Sequence, residues 1–156
     1  MELEPPLFRL LVTALARRQF LSPDGGELPC WAEKALESLD SPSLRILAGL
    51  TAPWNQFEID QYLKRCSEEL GWSIPSDDEL PRLYAGFIAE DMLSGSLALI
   101  AGCGQLRELL TKAQRPAYLE RWIMIGSLVE AVREGHLSLA SVEEELRAEA
   151  LKLLPS

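Results

Sequence analysis

Apolar residues recur along most of this chain at the three- and four-residue spacing of an α-helix, most clearly between Tyr118 and Val132. At helical spacing one broad apolar face is formed by Tyr118, Trp122, Ile125, Leu128, Val129 and Val132. The remaining narrow side carries mostly polar residues, together with Ile123. A helix that is apolar on nearly every side is typical of a bundle interior. The pattern therefore predicts a central helix near residues 117–134.

The rest of the chain shows the same period and no strict alternation of apolar and polar residues. Ser41 before Pro42, and Asn55 three residues before Glu58, are typical helix starts. Gly71 is placed to end the helix that begins after Asn55. The sequence predicts one all-α domain over residues 1–156, a bundle of about seven or eight helices.

Glycine and proline suggest three local details. The run from Gly102 to Gly104 is interpreted as a break between two helices, and Gly126 as a place where a neighbouring backbone comes close. Asp78 is preferred over Ser76 as the cap of the next helix, because a start at Ser76 would put Pro81 where its missing N–H breaks a bond.

Charge limits the kinds of partner. The net charge is −9, and the segment from Gln19 to Glu79 holds twelve acidic residues against four basic ones, which is −8 of that total. Such a field repels phosphate backbones and anionic lipid and attracts basic proteins. The one basic cluster, Arg9, Arg17 and Arg18, is too small to oppose it. We expect no nucleic acid and no membrane as partner; the alternative is that the acidity serves solubility alone.

The sequence offers little support for chemistry or export. Three separated cysteines, Cys30, Cys66 and Cys103, favour reduced thiols in a cytoplasm. The acidic first residues lack the positive charge of an export signal. His136 is the only histidine, and no metal-binding motif is present. We expect a cytoplasmic protein that is not an enzyme and binds no metal or cofactor.

Asp91 is the exception to the helical pattern, because it falls in the middle of an apolar face between Glu79 and Leu93. A buried carboxylate needs partners. We expect Asp91 to be largely buried and to accept hydrogen bonds from the N–H groups of residues 95–97 or to pair with an arginine. The alternative is a ligand-binding carboxylate in a pocket near Asp91.

Two tryptophans, Trp54 and Trp72, lie in predicted loops on either side of an acidic helix. Loop tryptophans often fill a core, but aromatic anchors surrounded by charge are also typical of protein interfaces. As an interface, the predicted partner-binding residues are Trp54, Asp60, Glu68, Glu69, Trp72 and Asp77.

The segment from Ser41 to Gly71 contains Leu-Arg-Ile-Leu-Ala-Gly-Leu at residues 44–50, Phe-Glu-Ile at residues 57–59 and Glu-Leu-Gly at residues 69–71. It resembles a group of small, uncharacterised all-α bacterial proteins with the same pattern. In size and charge alone the chain is also similar to immunity proteins, which neutralise toxins in bacterial competition. Together with the charge, these resemblances favour a non-enzymatic protein-binding module, at its most specific an immunity-type inhibitor that covers a basic toxin domain with its acidic face, as a monomer or homodimer. The alternative is a small-molecule-binding or regulatory helical module.

Overall fold

A computed structural model of the protein describes residues 2–21 and 23–155. Within those residues it is all-α, with eight α-helices, one 3-10 turn and no strand, as the sequence predicted. The helices are α1 Pro5–Phe20, α2 Glu27–Ala35, α3 Pro42–Gly49, α4 Gln56–Leu70, α5 Leu80–Ser94, α6 Leu99–Lys112, α7 Arg121–Arg133 and α8 Leu139–Leu151, with the 3-10 turn Ala117–Leu119 before α7. None of the helices in the described residues is long and apolar enough to cross a bilayer.

The contacts within the chain divide it into two compact units, Met1–Leu80 and Pro81–Ser156, called unit 1 and unit 2 below. Each unit is described by itself. That the whole chain acts as one domain over residues 1–156 stays a prediction.

Unit 1 is built around α2, which packs against α1, α3 and α4, while α3 also packs against α4. The predicted helix boundaries are confirmed here. The Ser41 hydroxyl accepts the N–H of Leu44 at 3.1 Å, and the Asn55 side chain accepts the N–H of Glu58 at 3.2 Å. Gly71 ends α4 with a left-handed φ of 78°.

In unit 2, α7 packs against α6, α8 and the 3-10 turn, in the stretch where the central helix was predicted. Trp122, Ile125 and Val129 are buried as expected. The exposed side includes Ile123 and also Met124, which is 48% exposed. The buried stripe of α7 is therefore narrower than its composition suggested.

Both glycine interpretations are corrected by the structure. Helix α6 runs without a break through Gly102 to Gly104, and a Cβ on Gly102 would collide with the side chain of Met92. Gly102 thus lets α5 and α6 come together instead of ending a helix. At Gly126 the close neighbour is the Arg107 side chain and not a backbone, because a Cβ there would lie 2.6 Å from the Arg107 Cζ.

The preferred cap before α5 is also wrong. The Ser76 hydroxyl accepts the N–H of Glu79 at 3.2 Å and donates to the Glu79 carboxylate at 2.9 Å, so the capping contact comes from Ser76. Residues 77–79 form a separate turn and α5 begins at Leu80. Pro81 therefore stays in the first turn of α5, where the missing N–H costs little, so it does not exclude Ser76.

Candidate functional site

The candidate site is the exposed side of α4 in unit 1. The buried side of α4 consists of Ile59, Leu63, Cys66 and Ser67. Helical spacing places an exposed row opposite to it, formed by Phe57, Gln61, Lys64 and Glu68, with the exposed Asp60 at one edge of this row. This exposed row is mixed in charge and has an aromatic residue at its N-terminal end.

Phe57 is 83% exposed, more than any other large hydrophobic residue described. Sequence reasoning missed it, although the signal was available: Phe57 falls off the stripe of Ile59 and Leu63 when the helix is projected. A phenyl ring held almost wholly in water on a rigid helix is a typical anchor for a protein contact.

Trp54, the first of the predicted aromatic anchors, is half-buried. Its indole lies over the turn at Gly25 and Gly26, where added Cβ atoms would come within 2.7 Å and 2.6 Å of the ring. The Gln56 amide donates to the Gly25 carbonyl at 2.9 Å and ties the same turn to the start of α4. The ring of Trp54 is therefore fixed in place and partly accessible.

Trp72, the second predicted anchor, is only 7% exposed and packs edge-to-face against Trp31, with ring centroids 5.8 Å apart. The Trp31 indole N–H in turn donates to the Leu7 carbonyl at 3.0 Å. The expectation of an exposed aromatic at this position is thus not met. Trp72 fills the core of unit 1, which was the other interpretation of a loop tryptophan.

The predicted carboxylates differ in the contacts that they already make within unit 1. An Asp60 oxygen lies 2.6 Å from the Arg18 guanidinium, whose side chain is 23% exposed. Arg18 therefore compensates part of the acidity of the α4 side. It also shows that the basic cluster on α1 is partly used inside unit 1.

Glu69 is used for structure. Its carboxylate accepts the N–H of Ser43 at 3.0 Å and the Ser43 hydroxyl at 2.5 Å, at the first turn of α3. The Ser43 hydroxyl, and then the Ser43 N–H, hold the pKa of Glu69 below its ordinary value. A negative group at a helix N-terminus is favoured by the helix dipole. Glu69 ties α4 to α3 and is engaged before any partner arrives.

Glu68 and Asp77 are the predicted carboxylates that stay unengaged. Both are exposed, and neither makes a hydrogen bond or ion pair with the residues that the structure describes. Glu68 lies on the exposed row of α4, whereas Asp77 lies in the turn of residues 77–79. The structure thus groups Trp54, Asp60 and Glu68 with Phe57 on or beside α4, while Trp72 belongs to the core of unit 1 and Glu69 to the contact with Ser43.

Asp91, the predicted ligand-binding carboxylate, is half-buried and not largely buried as expected. Its main-chain carbonyl accepts the N–H of Leu97 at 3.0 Å, which links the end of α5 to the next segment. Three clefts described in the two units are lined by other residues.

Reactive side chains are few in the described part of the chain. Burial raises the pKa of the Cys66 thiol to about 12 and also raises the pKa of Cys103, so both thiols stay protonated and inert. His136 is exposed, with its Nε2 3.6 Å from a Glu134 oxygen. The described residues contain no group of three side chains able to hold a metal ion.

Comparison with known proteins adds no relative. No model of a known protein family matches the chain, and neither a curated protein nor a solved structure matches it significantly.

Proposed function

We propose that this protein is a non-enzymatic protein-binding module whose contact surface is the exposed side of α4, called the α4 surface and formed by Trp54, Phe57, Asp60, Gln61, Lys64 and Glu68. The observation that carries the proposal is the 83% exposure of Phe57. Phenylalanine is a residue that folding normally buries, and covering it on a partner recovers about 1.5–3 kcal/mol.

The arrangement around Phe57 supports an interface more than a chance exposure. Trp54 is held rigidly over its turn, so a partner can contact it without ordering a mobile side chain. Exposed polar residues follow Phe57 along α4, as at the rim of known interfaces. The Trp54 ring therefore offers apolar area at low entropic cost.

The partner we propose is a basic protein. The segment from Gln19 to Glu79 carries −8 of the net charge of −9, and Glu68 on the α4 surface has no partner within the described chain. Complementary charge speeds encounter, while a buried anchor slows dissociation. At its most specific, the proposal is an immunity-type inhibitor that covers a basic toxin domain.

Single substitutions test the aromatic anchor and the charge separately. The tagged chain is used to capture partners from its native host, in parallel with Phe57→Ala and with Ile46→Ala, a control that changes an exposed apolar residue on α3. A specific partner is retained by the parent and by Ile46→Ala but lost or weakened with Phe57→Ala. Because Phe57 is exposed, Phe57→Ala should leave the free energy of unfolding nearly unchanged.

Kinetics with the captured partner then test charge. Phe57→Ala should raise the dissociation rate by a factor of about 30 if it removes a hot spot worth about 2 kcal/mol. Glu68→Lys should lower the association rate at low salt and matter less at high salt. Glu69→Lys is unsuitable, since it would also break the contact with Ser43. Retention unchanged by Phe57→Ala, or association indifferent to salt and to Glu68→Lys, would contradict the proposal.

The immunity-type role has its own readout. It predicts that the captured partner is toxic when produced alone, and that co-production of the parent chain restores growth. Phe57→Ala should restore less growth than Ile46→Ala at equal protein levels. A partner that is not toxic would remove the immunity-type role and leave the binding module intact.

A further inference from the structure

Unit 2 contains a cationic cleft that the α4 surface does not involve. It lies between α6 and α7, has a volume of about 340 Å³, and is called the α6–α7 cleft. Its lining combines two arginines with apolar and hydroxyl groups: Arg107, Leu110, Thr111, Arg115 and Ile123. Two guanidinium groups at one opening are unusual in a chain with a net charge of −9.

Arg107 occupies space that a glycine leaves free. Its guanidinium lies against Gly126 in the middle of α7, where a Cβ would come within 2.6 Å of the Arg107 Cζ. Glycine weakens a helix interior relative to alanine, so α7 loses stability to give the guanidinium this position. Arg107 makes no ion pair or side-chain hydrogen bond with the residues that the structure describes, so its N–H donors are available.

Arg115 comes from an unusual turn. Gln114 and Arg115 both adopt a left-handed φ, of 62° and 54°, directly after α6. Non-glycine residues rarely take this conformation. The Arg115 N–H closes the turn by donating to the Leu110 carbonyl at 2.8 Å. The Arg115 guanidinium lies 3.2 Å from Glu120 in an exposed pair, a type of contact that is weak and readily exchanged for another anion.

The apolar part of the lining indicates what accompanies the anion. Ile123 is 40% exposed on α7, and Leu110 is buried beneath the cleft. Guanidinium groups bind carboxylates and phosphates through paired N–H donors, and pockets of this size suit small organic molecules. Unit 2 is nearly neutral, with ten acidic and eight basic residues, so binding must come from these local contacts.

We propose that the α6–α7 cleft binds a small organic oxyanion, a carboxylate or a phosphate monoester attached to an apolar group. Arg107 and Arg115 contact the oxyanion, and Ile123 covers the apolar group. The site is independent of the α4 surface and holds whether or not that surface binds a protein.

The test is calorimetric titration of the full chain with benzoate, with phenyl phosphate, and with neutral benzyl alcohol. We expect saturable binding of at least one anion at a single site and none of the alcohol. Comparing benzoate with phenyl phosphate decides between the two oxyanions. Arg107→Gln should weaken binding at least about tenfold, the loss expected for a hydrogen bond to a charged group. The control Arg147→Gln, which changes an exposed arginine paired with Glu143 on α8, should bind like the parent.

A second variant fills the space at Gly126 that the Arg107 guanidinium occupies, without changing the charge. Gly126→Ala puts a methyl group where the Arg107 guanidinium lies, so the arginine must move, while alanine favours the helix. We expect a folded protein with weaker anion binding, and this result decides the matter should Arg107→Gln fail to fold. No saturable binding of either anion, or equal binding by the parent, Arg107→Gln and Gly126→Ala, would overturn the proposal.

Discussion

Replacing Ile125 with alanine tests whether α7 is the buried helix of unit 2. Ile125 is fully buried. The substitution removes three carbon groups at about 0.8 kcal/mol each, or about 2.4 kcal/mol of transfer free energy. The cavity that remains adds to this cost, and the higher helix propensity of alanine returns at most about 0.5 kcal/mol. We expect Ile125→Ala to lower the free energy of unfolding by about 2–5 kcal/mol.

The matched control is Met124→Ala, one residue earlier on the same helix, where the side chain is 48% exposed. It should change stability by less than about 1 kcal/mol, because little apolar area returns to water. Both variants are compared with the parent by urea unfolding followed by far-UV circular dichroism. Hydrogen exchange of the α6, α7 and α8 amides shows whether the loss falls within unit 2, since the two units need not unfold together.

Equal stability of Ile125→Ala and Met124→Ala would refute the assignment of the buried face of α7. A strand-type circular dichroism spectrum of the parent would refute the all-α fold itself. A loss in Ile125→Ala with unchanged exchange in α6 and α8 would place Ile125 outside the packing described here.

Three further predictions concern unit 1. Because Ser43 holds the pKa of Glu69 below its ordinary 4.5, the contact stabilises the protein above that pH and is lost as the pH falls. Glu69→Gln should therefore lower the free energy of unfolding at neutral pH and lose less of it in acid than the parent does. Urea-unfolding pH profiles that run parallel for Glu69→Gln and the parent would contradict this. Trp72→Ala should cost about 3–5 kcal/mol in the same assay, as expected for a core residue; a change as small as that of an exposed site would restore Trp72 as a possible anchor. Of the three thiols, Cys30 alone should react with a thiol reagent in the native protein, and all three should react in denaturant; three reactive thiols without denaturant would contradict the burial described.

Local sequence signals predicted local structure well. Ser41, Asn55 and Gly71 act within one turn of their own positions, and the structure confirms each of them. The buried face of α7 was predictable because its period depends on helix geometry alone. Gly102 was misread because its reason is Met92, which lies on another helix. A glycine within a helical pattern indicates a loss of helix stability, but the sequence does not show which neighbouring side chain needs the space that the glycine leaves.

The candidate site was predicted less well for the same reason. No sequence feature distinguishes Trp54 from Trp72, because the burial of a loop residue depends on the residue against which it packs, which for Trp72 is Trp31. The contact between Glu69 and Ser43 was not predictable either, since the two residues are 26 positions apart in the chain. Phe57 is different, because helical spacing alone places it on the polar row of α4, so its exposure was predictable from the sequence.

The structure also gives a physical reason for the sequence pattern between Ser41 and Gly71. Ser41 caps the first turn of α3 from its own helix, and Glu69 accepts the Ser43 N–H of the same turn from α4. Gly71 then ends α4 two residues beyond Glu69. The pattern therefore specifies a pair of helices tied together at one end, which is a requirement of folding. Phe57 lies within the same segment but contributes little to folding, because it is exposed. A chain with the same caps and the same contact between Glu69 and Ser43 should thus form this helix pair whatever side chain stands at position 57, so the fold of the pair does not determine the partner.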